Sequence, residues 1–128
     1  MSAATRVRVL VIDDSPITLK VVANALERAG YDVRTTSEIS MLRDAFGSWR
    51  PEVILTDVDM PDITGVELCR RVKASYDTAH VPVVLYSSRS DETLAELARE
   101  CEADGFLSKT RGVDALPGEL AYLIKTVF

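Results

Sequence analysis

The sequence has 128 residues, 47% of them hydrophobic, with a formal net charge of −5 and a pI near 4.9. That length fits one domain over residues 1–128, able to remove roughly 68% of the unfolded chain's surface from water. An acidic chain repels phosphate backbones, which argues against direct contact with nucleic acid, and no apolar run approaches the roughly 18 residues of a membrane span.

Arg6 and Arg8 precede an apolar run of four residues before acids begin, too short for a signal peptide, so the expected compartment is the cytoplasm. Residues 7–12 are a nearly continuous β-branched run, as in a strand buried on both faces. Asp13 and Asp14 end it. Ser15-Pro16 then supplies an N-cap and a proline at the first helical position. Val22, Ala25, Leu26 and Ala29 follow at helical spacing until Gly30. Tyr31, Val33 and Thr35 alternate with polar residues, the pattern of an edge strand. A second helix is expected near residues 37–47, with Leu42, Ala45, Phe46 and Trp49 on one face.

Pro51 reopens the chain and residues 53–56 form a third strand that runs into Asp57, with Asp59 two positions on. Thr64-Gly65-Val66-Glu67 has the capping-box pattern, with Ile63 and Leu68 as a flanking staple. The third helix is therefore expected over residues 65–75. A fourth strand is expected at 81–86, a helix after the Ser90 cap with Leu94, Leu97, Ala98 and Cys101 in register, a short strand at 105–108 ending at Lys109, and a final helix at about 115–127. Cys69 and Cys101 continue apolar stripes and read as reduced core thiols. Strands alternating with helices imply parallel βαβ units with right-handed crossovers, a doubly wound α/β sheet covered on both faces.

In such a sheet the C-terminal ends of the strands share one edge, where open α/β folds bind ligands. That edge would collect Asp13 and Asp14 from the first strand, Asp57 and Asp59 from the third, Ser87 and Ser88 from the fourth and Lys109 from the fifth. Taken singly, each has an ordinary explanation as a turn former, a cap or a solvated charge. Their arrival at one place points to chemistry. Crowded carboxylates repel by roughly 4 kcal/mol per close pair at an effective dielectric near 20. They therefore protonate or take a cation. Oxygen ligands of this kind suit Mg²⁺, and a carboxylate beside Mg²⁺, a lysine and a hydroxyl has what phosphoryl transfer requires.

The segments VLVIDDSP at 9–16, VILTDVDMPDITG at 53–65, VPVVLYSS at 81–88 and DGFLSK at 104–109 together resemble the receiver domain of bacterial two-component response regulators, the CheY-like family. The resemblance covers essentially the whole chain. It implies a five-stranded parallel sheet of order 2-1-3-4-5 with five helices. It also implies that Asp57 accepts a phosphoryl group from a sensor histidine kinase or a phosphotransfer protein. Asp14 matches the direct Mg²⁺ ligand, Asp13 its partner acting through water, and Asp59 the position whose backbone carbonyl binds the metal. Lys109 matches the contact to the phosphoryl oxygens, Ser87 the hydroxyl that moves toward them, and Phe106 the aromatic switch position. A downstream protein target would read the switched surface, the chain acting as a monomer or a weak phosphorylation-dependent dimer, and either alone or as part of a longer regulator.

Departures from the family pattern fall after the fifth strand. Thr110 stands where a proline, often preceded by a cis bond, is usual. The loop 110–114 is longer, and Phe106 lacks a tyrosine's hydroxyl. Arg89 and the Asp59 side chain match variable positions that influence how fast water removes the phosphoryl group. His80 reads as a surface loop residue, and Arg70, Arg71 and Lys73 as a solvated helix face. Two other readings stand beside the switch. One is an interaction module that no longer needs phosphorylation. The other is a phosphohydrolase similar to the haloacid dehalogenase family, suggested by Asp57-Val58-Asp59 but leaving Asp13 and Asp14 unexplained.

Overall fold

A computed structural model describes residues 6–38 and 45–128. Four of its five strands are rich in apolar residues: β1 (Arg8–Ile12), β3 (Val53–Thr56), β4 (Val83–Ser87) and β5 (Gly105–Ser108). β2 (Asp32–Thr36) is the exception, and it lies at an edge with three of its five residues exposed. The order is β2-β1-β3-β4-β5 and every pairing is parallel. β1, β3 and β4 therefore occupy the interior of the sheet. Their side chains alternate between its faces.

Each face builds its own core. Leu10, Ile12, Ile54, Val83 and Leu85 point toward α2 (Gly65–Ala74) and α3 (Asp91–Cys101), packing with Val66, Leu68, Cys69, Val72, Leu94 and Ala98. Val9, Val11, Val53, Leu55, Val84 and Tyr86 point the other way, toward α1 (Pro16–Arg28) and α4 (Leu116–Thr126), and pack with Leu19, Val22, Leu26, Leu116 and Leu120. Burying a leucine or valine of this kind stabilises by about 1.5–3 kcal/mol relative to leaving it exposed.

Three helix starts carry the caps expected of them. The side chains of Ser15, Thr64 and Ser90 accept from the amides of Thr18, Glu67 and Thr93. At Thr64 the carboxylate of Glu67 reaches Arg71 at 3.7 Å, so the first half of the capping box is present alongside an i,i+4 pair. Cys69 and Cys101 are free and buried.

The structure shifts several elements. Of the second helix expected near residues 37–47, residues 39–44, Leu42 among them, lie outside the described residues, and the described residues that follow, Ala45–Trp49, are a π-helical segment. Gly47 inside that segment is a weak helix former. The amide of Arg50 bonds the Ala45 carbonyl five residues back at 2.8 Å, and Arg50 itself has φ 56°. β4 begins at Val83 and reaches Ser87, because Pro82 has no N–H to donate to a ladder. Before α4 come two 3₁₀ turns, Lys109–Arg111 and Val113–Ala115, joined at Gly112 with φ 86°. Lys73 departs most from its expected place on a solvated face. Its ammonium pairs with Asp104 at 2.6 Å and donates to the Val81 carbonyl at 2.9 Å, with 14% of the side chain exposed. Its long apolar stem lets the charge reach that partner while α2 stays against the sheet.

Candidate functional site

β1, β3, β4 and β5 end on residues that can bind or react, and the parallel sheet brings those ends together. Asp13 follows β1 and is 3% exposed. Its Oδ1 accepts the Ser15 amide at 2.9 Å, so the carboxylate is oriented by the turn that starts α1. Asp14 beside it is exposed. Asp57 follows β3 and is 9% exposed. Its amide donates to the Ile12 carbonyl at 2.8 Å, and its Oδ1 accepts the Val58 amide at 2.9 Å. One oxygen from each of Asp13, Asp14 and Asp57 lies within 4.8 Å of the others.

The turn that follows Asp57 is held from behind. The Gly65 amide donates to the Val58 carbonyl at 2.8 Å, and a Cβ on Gly65 would collide with the Asp57 carbonyl. A glycine is therefore required where α2 passes under the site. The buried hydroxyl of Thr56 donates to that same carbonyl at 3.0 Å.

Lys109, just beyond β5, aims its ammonium into the carboxylates. Nζ is 2.7 Å from Asp13 Oδ2 and 3.6 Å from Asp57 Oδ1. It also lies over the Tyr86 ring, 5.6 Å from the centroid. Burial raises the Asp57 pKa above the usual carboxylate value. The charge of Lys109 opposes that shift, Asp13 adds to it, and the amides of Val58 and Asp59 oppose it. Three carboxylates against one ammonium leave this corner net negative. Hard oxygen donors in that excess fit a small divalent cation such as Mg²⁺, which shares its ligands readily with a phosphoryl oxygen. Asp13, Asp14 and Asp57 are the residues that would hold it.

Ser87, the last residue of β4, is 1% exposed, and its hydroxyl accepts the Arg89 amide at 3.2 Å. Asp59 stands apart from the three clustered acids. Both of its oxygens are held by the Arg89 guanidinium, at 2.6 and 3.0 Å, at the exposed rim. The hydrogen bond from Arg89 holds the Asp59 pKa below the usual carboxylate value. Phe106 on β5 is partly buried and packs against the core on the α2/α3 side.

The acids, the lysine and the serine are legible in the sequence, whereas Tyr86 under the Lys109 ammonium and the ion pairs of Arg111 with Asp91, and with Glu119 at 3.7 Å, are not. Tyr86 ends an apolar run and Arg111 sits in a polar loop, so neither carries a local signal. His80 is exposed, at a cavity of about 470 Å³ also lined by Phe46, Arg50, Asp77 and Thr78. That cavity lies beside the starts of β3 and β4, at the opposite edge of the sheet.

A family model described as the response regulator receiver domain matches residues 9–121. The transcriptional regulatory protein CseB of Streptomyces avermitilis is 34% identical over 106 residues, covering 83% of this chain and 44% of that protein. The chemotaxis protein CheV2 of Helicobacter pylori is 43% identical over 58 residues, covering 45% of this chain and 18% of that protein. This chain thus spans less than half the length of these two relatives. Among solved structures, the chemotaxis response regulator CheY4 of Vibrio cholerae superposes with a TM-score of 0.83 at 26% identity, covering 93% of this chain and 99% of that one.

Proposed function

From the premise that this chain belongs to the response regulator receiver domain family of two-component systems, we propose that it is a phosphoacceptor switch in which Asp57 takes a phosphoryl group from the phosphohistidine of a sensor kinase or phosphotransfer protein. The observation that carries this reading is the convergence of Asp13, Asp14 and Asp57 with the Lys109 ammonium between Asp13 and Asp57.

A carboxylate oxygen of Asp57 forms the new O–P bond as the P–N bond to the donor's imidazole breaks, and the departing imidazole takes up a proton. Asp13 and Asp14, with Asp57, would hold Mg²⁺ at the site, and the ion would supply charge neutralisation for the transferring phosphoryl oxygens. Lys109 turns from Asp13 toward the added oxygens, and the Ser87 hydroxyl donates to one of them. Each of these two bonds is worth about 1.5–3 kcal/mol. A complete shift between two states needs about 5.5 kcal/mol. The unphosphorylated chain therefore samples the active form, and a protein partner that prefers that form completes the shift.

The whole chain acts as one receiver domain, taking one phosphoryl group per molecule rather than turning over phosphomonoesters. The phosphohydrolase reading is disfavoured because the Asp59 carboxylate is occupied by Arg89 at the rim rather than facing Asp57. We place the chain in the cytoplasm as a monomer or weak phosphorylation-dependent dimer. Its output is a protein-binding surface rather than direct contact with nucleic acid, in keeping with the net charge of −5. Among the described residues no helix is long and apolar enough to cross a membrane.

Incubation with Mg²⁺ and acetyl phosphate, followed by intact mass, tests the reading. A single phosphoryl adduct is expected that requires Mg²⁺ and disappears in Asp57→Asn. An unmodified wild type, where a control receiver reacts, would replace the switch with a phosphorylation-independent binding module.

A further inference from the structure

Lys109 reaches the carboxylates from the first residue of a three-residue turn, Lys109–Arg111. Everything the lysine does at the site depends on what holds that turn. From within, Ser108 Oγ accepts the Thr110 amide at 3.2 Å and bonds the Thr110 hydroxyl at 2.7 Å, and the Gly112 amide closes on the Lys109 carbonyl at 3.0 Å. Thr110 imposes no fixed φ of the kind proline would, and Gly112, the residue that follows the turn, is the most conformationally permissive type.

From outside, the turn is held by Arg111. Its guanidinium pairs with Asp91, the first residue of α3, and lies 3.7 Å from Glu119 in the first turn of α4. Both acids sit at helix N-termini, where the backbone favours negative charge and keeps them in place as anchors. The same short turn thus has one end in the carboxylate cluster, through Lys109 and Asp13, and the other end clamped between two helices. At about 2 Å of rise per residue a 3₁₀ turn has no slack to separate the two ends.

We propose that Arg111 is a positioning residue for Lys109. By bridging Asp91 and Glu119 it holds the turn that presents the lysine ammonium to Asp13 and Asp57, an assignment that rests on the phosphoacceptor reading of Asp57. The lone exposed ion pair is weak, but a guanidinium shared by two acids on separate helices restrains a loop that its own sequence leaves free.

The test compares this chain as wild type, Arg111→Ala and Arg111→Lys, each confirmed folded by thermal melting. Two measurements are made: the rate of adduct formation with saturating Mg²⁺ and acetyl phosphate, and the NMR shifts of the Lys109 side chain. Arg111→Ala is expected to slow phosphorylation about fivefold and to move the Lys109 resonances, while Arg111→Lys recovers most of the rate. Added salt should narrow the gap between wild type and Arg111→Ala, because the clamp is ionic and exposed. A purely structural role would lower the melting temperature and leave the Lys109 resonances and the phosphorylation rate of the folded protein unmoved. Equal rates in wild type and Arg111→Ala, or unmoved Lys109 resonances, overturn the proposal. If wild type takes no phosphoryl group, the phosphoacceptor reading fails by itself, and the Lys109 resonances still decide whether Arg111 positions the lysine.

Discussion

Asp57 is held in a conflict that its neighbours only partly relieve. Burial and the nearby Asp13 disfavour its charge, while Lys109 and two backbone amides favour it. Its folded pKa lies above the unfolded value, so its contribution to stability is present at low pH and lost as pH rises through the folded pKa. Without a divalent cation, the ionised Asp57 therefore weakens the fold near neutral pH. Asp57→Asn should raise unfolding stability in EDTA at pH 7 by about 1 kcal/mol, the scale of one screened like-charge contact, and the gain should vanish near pH 3. Urea unfolding at the two pH values checks both signs. Asp59 shows the opposite behaviour, with its pKa lowered by the Arg89 hydrogen bond. Arg89→Ala should return the Asp59 carboxyl titration upward to the ordinary carboxylate value, read by carbon NMR. Asp13, Asp14, Asp57, Ser87 and Lys109 could be named from sequence because each ends or follows a strand in a strictly alternating chain. Lys73 could not, since its partner Asp104 is 31 positions away and reaches it through the α2–β4 and α3–β5 packing.

At the scale of elements, the turn from β3 into α2 is the part most tightly specified. The Thr64 hydroxyl accepts the Glu67 amide at 3.1 Å, and Gly65 passes against the Asp57 carbonyl. Thr64→Ala removes a cap and should cost about 1 kcal/mol. Gly65→Ala must displace backbone at the site and should cost about 2 kcal/mol or more. Denaturant unfolding ranks the two variants, and Gly65→Ala should also slow phosphorylation because it shifts Asp57. Caps were legible because Ser15, Thr64 and Ser90 each sit three residues before an amide they can reach. The π-helical segment Ala45–Trp49 was not legible, because its apolar residues mark a buried face at almost any helical pitch and its contacts are distant in sequence. The Trp49 indole donates to Asp32 on β2 at 3.4 Å, and the Arg34 guanidinium lies 4.9 Å from the ring centre.

Over the whole molecule, one sheet divides two cores and brings four strand ends to the same edge. Leu55 is fully buried in the core facing α1 and α4 and sits two residues before Asp57. Leu55→Ala should cost about 3 kcal/mol in urea unfolding. A divalent ion that binds the folded carboxylates and not the unfolded chain should raise the melting temperature, more at pH 7 than at pH 4, because it needs the ionised acids. Calorimetry with Mg²⁺ against EDTA at both pH values measures the difference. Burial and the adjacent Cys101 push the Cys69 thiol up, and both cysteines are shielded from solvent, so neither should be alkylated at pH 7.5 until the protein unfolds.

The sequence alone determined the alternation of strands and helices, three of the caps, and the set of acids, hydroxyl and lysine at the strand ends, because these depend on local propensity and on a period read along the chain. Tertiary structure decided which oxygens meet. It placed Lys109 nearer Asp13 than Asp57, turned Asp59 away to Arg89, buried Lys73 against Asp104 and set Arg111 between two helices. Each of those outcomes is a choice among charged partners distant in sequence, and distance in space is what sets the strength of a charge interaction.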